Sequence, residues 1–414
     1  MMAGAVADLD GNPAVRRLGD WSAARLRDLA ADHGTPLYVV DLGRVRENAA
    51  RLRAAFPDAA IDYAVKANAR KPVLETLAEE GLGAECASAG EVVRAYEAGV
   101  STLRYTAVNP PARDLDRVVE IAAEREVTIT VGARDTLTRL ADRDWTGRVY
   151  LRANPAVGAG HHEKVRTGGD PTFGIPAERI EAVAADAEGM GFDLVGLHAH
   201  AGSGILGDLS GHAALVERVS EIAADLADHD IDAVSIGGGF GVPYHETDPP
   251  LDLGALAEAT RDAFGADARL GIEPGRYLVA DAGVLLARVN TVKPTPETTV
   301  VGVDAGMTAL ARPALYDAYH AIRSLAADAS ERGTVATTVA GPVCESSDTL
   351  ARGRSLPVPE RGDLLAVGNA GAYGYEMAST YNSRPRPAVC ALDGDESWVC
   401  VRRETVDDLS RLDQ

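Results

Sequence analysis

Lysine is scarce in this sequence, so each one is conspicuous. Lys and Arg together number 41, yet the only lysines are Lys66, Lys71, Lys164 and Lys293. Lys66 directly follows the apolar run Ile61–Val65. A lysine amine at a strand end, set near a phosphate site, suggests covalent chemistry with a carbonyl. Two later stretches supply such a site. Gly237-Gly238-Gly239 lets backbone N–H groups approach phosphate oxygens, and Arg276 in Glu273-Pro274-Gly275-Arg276 adds a charged fork. Glu273 is a carboxylate able to keep a pyridine-type ring nitrogen protonated, which makes that ring an electron sink. His198 and His200 flank Ala199. An H-x-H pair also suggests a metal, but no third His, Cys or carboxylate stands at ligand spacing, so none is expected. Taken singly, each feature has a plainer explanation: a rim lysine, a tight turn, a salt-bridged glutamate, strand-end histidines.

Their placement on elements is what joins them. From about residue 61 to 276, short apolar runs alternate with amphipathic stretches. The runs are Ile61–Val65, Ala84–Cys86, Leu103–Thr106, Val127–Val131, Arg148–Arg152, Leu194–His200, Ala233–Ile236 and Arg269–Ile272. Helical stretches between them include Pro72–Glu80, Glu91–Ala98, Asp114–Glu124, Ala177–Glu188, Leu209–Asp228 and Leu253–Phe264. Eight such units predict an α/β fold, a (β/α)₈ barrel; a doubly wound sheet is the alternative. In a barrel the chemistry lies at the C-terminal strand ends, and phosphate sites use the loops after strands seven and eight. Lys66 follows strand one and Arg152 ends strand five. His198 to Gly204 follow strand six, the three glycines strand seven, and Glu273 to Arg276 strand eight.

After Asp281 the texture becomes β-rich: Val284–Val289, Val300–Val303, Thr337–Val339, Leu364–Val367 and Trp398–Val401, with one helical stretch expected at Tyr316–Ala327. The expected organisation is an N-terminal segment, 1–35, packing on the β domain; a barrel, 36–280; and a mostly β domain, 281–414.

Composition narrows the function classes. The net charge of −21 argues against nucleic acid, which demands a basic surface. No apolar run reaches the roughly 18 residues of a membrane span. Met1 to Asp10 lack the pattern of a signal peptide, so cytoplasmic residence is expected. The four cysteines form no C-x-x-C pair and are expected to be free thiols.

The ordered motifs Tyr63-Ala-Val-Lys-Ala-Asn68, His198-Ala-His200-Ala-Gly-Ser203, Gly237-Gly-Gly239, Glu273-Pro-Gly-Arg276, Gly341-Pro-Val-Cys344-Glu345-Ser346-Ser-Asp348 and Gly371-Ala-Tyr373-Gly374 form a recognisable series. It resembles the alanine-racemase-like class of decarboxylases that use pyridoxal 5′-phosphate (PLP), and within it the diaminopimelate decarboxylases. The likeness runs from about Pro36 to Val389. It includes His162-Glu-Lys-Val-Arg-Thr167-Gly168, Phe173-Gly-Ile175, Arg312-Pro-Ala-Leu-Tyr316 and Tyr381-Asn-Ser-Arg-Pro-Arg-Pro387.

The resemblance implies that Lys66 carries the cofactor as a Schiff base and that His200 stacks on its ring. Ser203, Gly237, Gly238, Gly239, Gly275 and Arg276 would cradle its phosphate, with a hydroxyl from Tyr373. Arg152 faces the cofactor and Glu273 pairs with its ring nitrogen. Arg276, Arg312, Tyr316 and Tyr373 would bind substrate. Cys344 would donate a proton and Glu345 read a distal ammonium, both from the partner subunit of a homodimer. The implied reaction takes meso-2,6-diaminopimelate to L-lysine and CO₂, the last step of lysine biosynthesis. One position departs from the pattern: Glu85 stands where relatives more usually carry Asp.

Rival readings fit less well. Racemases of this fold tend to place Arg at the ring nitrogen, where this chain has Glu273. Ornithine- and arginine-type decarboxylases typically carry Asp after the cysteine, where this chain has Glu345. A non-catalytic regulatory relative would have lost cofactor residues, and Lys66, Glu273, Cys344 and Tyr373 are all present. The acidic, lysine-poor surface has two explanations, a salt-rich cytoplasm or a GC-rich genome that favours Arg codons. The first predicts a melting temperature that rises between low and molar KCl; an unchanged melting temperature excludes it.

Overall fold

The computed structural model describes residues 15–157, 170–200 and 202–414. The motif His162–Gly168 and Lys164 lie outside them. The chain divides into two units: residues 48–242 with 249–277, and residues 15–47, 243–248 and 278–414.

The first unit is the expected barrel. Its eight strands are Ala60–Ala64, Gly83–Cys86, Leu103–Tyr105, Val127–Val131, Arg148–Asn154, Asp193–His198, Ala233–Ser235 and Arg269–Ile272. Each pairs in parallel with the next, and Ile272 opposite Ile61 closes the ring. Strands buried on both faces favour β-branched residues, as in Val-Thr-Ile-Thr-Val at Val127–Val131. The helices bury one stripe each. In Ala112–Ala122 that stripe is Leu115, Val118 and Ile121. Side-chain caps set helix starts: Ser88 accepts from the Glu91 amide, and Asp252 from that of Ala255.

The second unit is built on a nine-stranded sheet. Its main path runs Thr349–Pro357, Thr334–Ala340, Thr299–Val303, Gly283–Pro294, Leu37–Asp41, Ala388–Asp393, Glu396–Val401. The helix Ala23–His33 buries Leu26, Leu29 and Ala30 in a cluster with Leu37, Val284, Leu364 and Cys390, so the N-terminal segment joins this unit. Arg44, almost fully buried, donates through Nε and Nη2 to Asp281, at 3.2 and 2.7 Å.

Two expectations need correction. The barrel does not begin at residue 36 or end at 280. Leu37–Asp41 pairs with Gly283–Pro294 and Ala388–Asp393, partners more than 240 residues away in sequence. Residues 243–248 also belong to the β unit. Nor is Tyr316–Ala327 a helix. Only Arg312–Tyr316 is helical, because Asp317 takes a left-handed conformation (φ 52°) that ends the turn. Ile322–Ser324 then pairs as a strand with Leu364–Val367.

Candidate active site

Within the barrel unit, the predicted residues gather at the C-terminal strand ends. Lys66 lies on the 3₁₀ turn Val65–Ala67 directly after the first strand. Its ammonium forms an ion pair with Glu85 of the second strand. The Lys66 side chain is 41% exposed and that of Glu85 3%, so the cation stands at the accessible end of a pair whose anion is buried. The atypical Glu85 is thus a direct partner of Lys66.

Glu273 is buried just past the eighth strand. Ser235 Oγ donates to its Oε1 at 2.8 Å, and His198 Nε2 to its Oε2 at 3.0 Å. Arg104 Nη1 stands 3.7 Å from Oε1. Burial by itself raises a carboxyl pKa, but His198, Arg104 and Lys66 together outweigh it and hold Glu273 well below the usual carboxylate range. His200 Nδ1 accepts from the Gly238 amide at 3.2 Å, so the ring proton belongs on Nε2. Burial, reinforced by the Lys66 and Arg152 charges, pushes His200 down to about 3.

The glycines pack closely rather than line a row of free amides. The Gly237 amide donates to Ser235 Oγ at 3.3 Å and the Gly238 amide to His200, so two of the three amides face inward. A Cβ at Gly238 would lie 2.0 Å from the Glu273 carbonyl, and one at Gly239 (φ +100°) 2.6 Å from that of Gly202. Ser203 Oγ accepts from Arg276 Nη2 at 3.3 Å, placing a hydroxyl beside a guanidinium. Gly275 packs against Ala64 and Ala67, on either side of Lys66. Buried Arg152 sets its guanidinium 5.3 Å from the Phe173 ring centroid.

The remaining predicted residues belong to the β unit. Arg312 is buried, and its Nη1 meets Tyr244 Oη at 2.8 Å and His320 Nε2 at 3.1 Å. His320 Nδ1 contacts the Gly368 carbonyl at 2.8 Å and must donate there, which leaves Nε2 to accept from Arg312. Tyr316 closes the same helical turn. Cys344 is an exposed free thiol, and Asn382 Nδ2 donates to its Sγ at 3.3 Å. Glu345 accepts from Tyr381 Oη at 2.6 Å. Buried Asp348 closes this loop, accepting from the Val343 and Met307 amides at 2.6 Å each. Tyr373 holds a left-handed conformation (φ 55°) in the Gly371–Gly374 turn.

Fold and site define a barrel enzyme with an accessible lysine, Lys66, at the strand ends and a buried, ionised carboxylate, Glu273, at the same end. The pyridoxal binding domain of the pyridoxal-dependent decarboxylases matches residues 42–280. The chain belongs to that family. It is 40% identical over 401 residues to the diaminopimelate decarboxylase of Methanothermobacter thermautotrophicus, covering 93% of this chain and 92% of that one. It is 35% identical over 422 residues to that of Escherichia coli K12, covering 95% and 97%. Among solved structures, Helicobacter pylori diaminopimelate decarboxylase complexed with L-lysine superposes with a TM-score of 0.87 at 33% identity, covering 94% and 98%. The lysine/ornithine decarboxylase of Vibrio vulnificus, 21% identical with a TM-score of 0.78, shares the fold.

The barrel residues fit PLP, the family's cofactor. Lys66 offers an amine, Glu273 an anion for a ring nitrogen, and Ser203 with Arg276 donors for a phosphate. At Gly238 and Gly239 a Cβ would strike the Glu273 and Gly202 carbonyls, so glycine lets these backbone segments close on one another.

Sequence reasoning missed several residues around this site. Asp62 and Arg104 are charges inside apolar strand runs, and nothing in the sequence ties Ser235 or His198 to Glu273. The available signal was a charge inside a buried strand run, which in a closed barrel needs a partner. His320 carried no signal, because only the fold brings it to Arg312. In the isolated chain, His200 stays neutral through the ordinary histidine range: its side-chain ¹⁵N resonances are expected to remain unchanged from pH 8 to pH 5. A titration midpoint near 6 contradicts the buried, Gly238-bonded imidazole.

Proposed function

We propose that this chain decarboxylates meso-2,6-diaminopimelate to L-lysine and CO₂, the last step of lysine biosynthesis, as a cytoplasmic homodimer with PLP bound at Lys66. The observation that carries the reading is the meeting of Lys66, His200 and buried Glu273 at one end of the barrel. The substrate assignment is supported by full-length relatives of that activity and by the Cys344-Glu345 pair.

Bound PLP supplies an electron sink for the charge left on the α-carbon when CO₂ departs. The chain's own residues do the rest. Lys66 binds the cofactor through its Nζ, with Glu85 steadying the amine end. Glu273 holds the proton on the ring nitrogen, and its own ionisation is secured by His198, Ser235 and Arg104. Neutral His200 would hold the cofactor ring without adding a charge that competes with that proton. Gly239, Gly275, Ser203, Arg276 and Tyr373 would bind the phosphate; Gly237 and Gly238 let the backbone close on His200 and Glu273, and the Gly238 amide fixes the His200 ring. Arg152 lines the cofactor site. Arg276, Arg312, Tyr316 and Tyr373 bind the substrate. Arg312 and Tyr316 take its distal carboxylate, and Glu345 its distal ammonium. Cys344 delivers a proton to the α-carbon, held for that role by Asn382. Cys344 and Glu345 serve the partner's barrel.

Ornithine and lysine lack the distal carboxylate and would leave Arg312 unmatched. With PLP present, CO₂ release from meso-diaminopimelate is expected to exceed that from ornithine, lysine or arginine by at least about 100-fold, at low or molar salt. Release from ornithine but not diaminopimelate overturns the substrate assignment. Lys66→Ala and Cys344→Ala are each expected to lose turnover. Refolded together, they should regain about a quarter of wild-type activity, because half of the dimers are mixed and each of these holds one intact site. No recovery on mixing overturns the shared-site dimer, and full turnover by Lys66→Ala overturns the mechanism.

A further inference from the structure

The barrel interior also pairs Arg104 with a second carboxylate, Asp62, which keeping Glu273 ionised does not require. Arg104 of the third strand donates from Nη2 to Asp62 Oδ2 of the first strand at 2.8 Å. Its Nη1 lies 3.7 Å from Glu273 Oε1, and its guanidinium lies 4.1 Å from the Tyr150 ring centroid. All three charged side chains are at most 7% exposed. The interior makes room for them. A Cβ at Gly83 would lie 2.1 Å from Asp62 Oδ1, and one at Gly196 1.5 Å from the Tyr150 ring. Branched apolar side chains normally fill such a barrel, and a buried ion pair is seldom more stable than the apolar side chains that could replace it. The network's contact with Glu273 gives it a use.

We propose that Arg104 and Asp62 are positioning residues that set how strongly Glu273 holds the proton on the cofactor's ring nitrogen. Arg104 draws on the Glu273 carboxylate from inside the barrel, and Asp62 offsets most of that pull. The inference rests on the assignment of Glu273 to the ring nitrogen. The signs follow from electrostatics. Neutralising Asp62 leaves Arg104 bearing on Glu273 alone, so the ring nitrogen loses its proton more readily. Removing Arg104 takes the cation away from Glu273, and Asp62, already pushed up against that cation's pull, becomes neutral, so Glu273 holds the ring proton more tightly. Charged and titratable groups facing Asp62 are Arg104, Glu273, Glu85 and Arg269; those facing Arg104 are Asp62, Glu273, Tyr150 and Glu85. Burial, with the Glu273 and Glu85 charges and against Arg104, pushes Asp62 up to about 6, and Asp62→Asn fixes the uncharged form that acid produces.

The test loads wild type, Asp62→Asn, Arg104→Met and the double variant with PLP labelled with ¹⁵N in the ring. The ring-nitrogen chemical shift is then followed against pH. Asp62→Asn should lower the midpoint by about one unit and Arg104→Met should raise it by less, with the double variant within about 0.3 units of Arg104→Met. The kcat of Asp62→Asn should fall about tenfold with KM changed less than about twofold. Midpoints that move in the same direction, or not at all, overturn the inference; a purely structural role gives no opposition of sign. Should Arg104→Met fail to fold, the near-isosteric Asp62→Asn decides alone: a lowered midpoint supports the inference and an unmoved one overturns it. Wild type that gives no signal from bound PLP overturns the functional reading and this inference with it.

Discussion

A carboxylate that must stay ionised inside a protein is expensive, and the barrel is arranged around that requirement at Glu273. Transfer from water favours the neutral acid, so the charge survives only where donors and cations replace the lost hydration. Here His198 comes from the sixth strand, Ser235 from the seventh and Arg104 from the third. No single helix or hairpin could present those groups to one carboxylate. A closed ring of parallel strands can, because inward-facing residues from separated strands converge on one axis. The glycines fit the same logic. Gly83 and Gly196 leave space for Asp62 and Tyr150, while Gly237 and Gly238 bring the backbone against His200 and Glu273.

The two halves of the machinery are held by different physics. Lys66, Glu85 and Glu273 lie on strands or within a residue or two of their ends, so the sheet ladder fixes their backbones. The β-unit groups sit on turns. Asp317, Tyr373 and Asn382 all have positive φ, a conformation that costs a non-glycine residue energy and persists only where neighbours enforce it. Those neighbours are visible. The Gly371–Gly374 turn packs so closely that a Cβ at Gly371 would lie 1.9 Å from the Val279 carbonyl. Asp348 ties the Cys344 loop through two backbone amides without any cation. Turns held in this way give a thiol and a carboxylate defined positions on an exposed surface.

The barrel was legible in the sequence because its signals are local. Buried parallel strands read as short apolar runs and surface helices as amphipathic stretches, and Val127–Val131 and Arg269–Ile272 were read with the bounds they have. The strand-end rule then selected Lys66 and Glu273. The failures share one cause, which is pairing between distant segments. Leu37–Asp41 looks like the opening of the barrel that follows it, but its partners lie at Gly283–Pro294 and Ala388–Asp393. The apolar residues of Tyr316–Ala327 suit a helix, yet a left-handed Asp317 and pairing with Leu364–Val367 make Ile322–Ser324 a strand. Asp62 and Arg104 escaped notice because each looks like a stray charge until the ring closes and joins them.

The partners of Arg312 and Glu345, the groups proposed to read the substrate, bear on specificity. Arg312 is met by a phenol and by a neutral imidazole whose Nδ1 is committed to the Gly368 carbonyl. Glu345 is likewise met by the Tyr381 hydroxyl, and that bond raises the tyrosine's pKa. Neutral partners satisfy hydrogen bonds but leave net charge to be matched. A ligand carrying both a carboxylate and an ammonium at its far end offers each group an opposite charge; one with the ammonium alone offers none to Arg312. Charge-assisted bonds are roughly twice as strong as neutral ones, so the preference is greatest where water is excluded. Buried Arg312 meets that condition, whereas exposed Glu345 requires a second surface to cover it. On the proposed roles, discrimination at Glu345 therefore requires a covering surface, whereas Arg312 is already buried in the single chain.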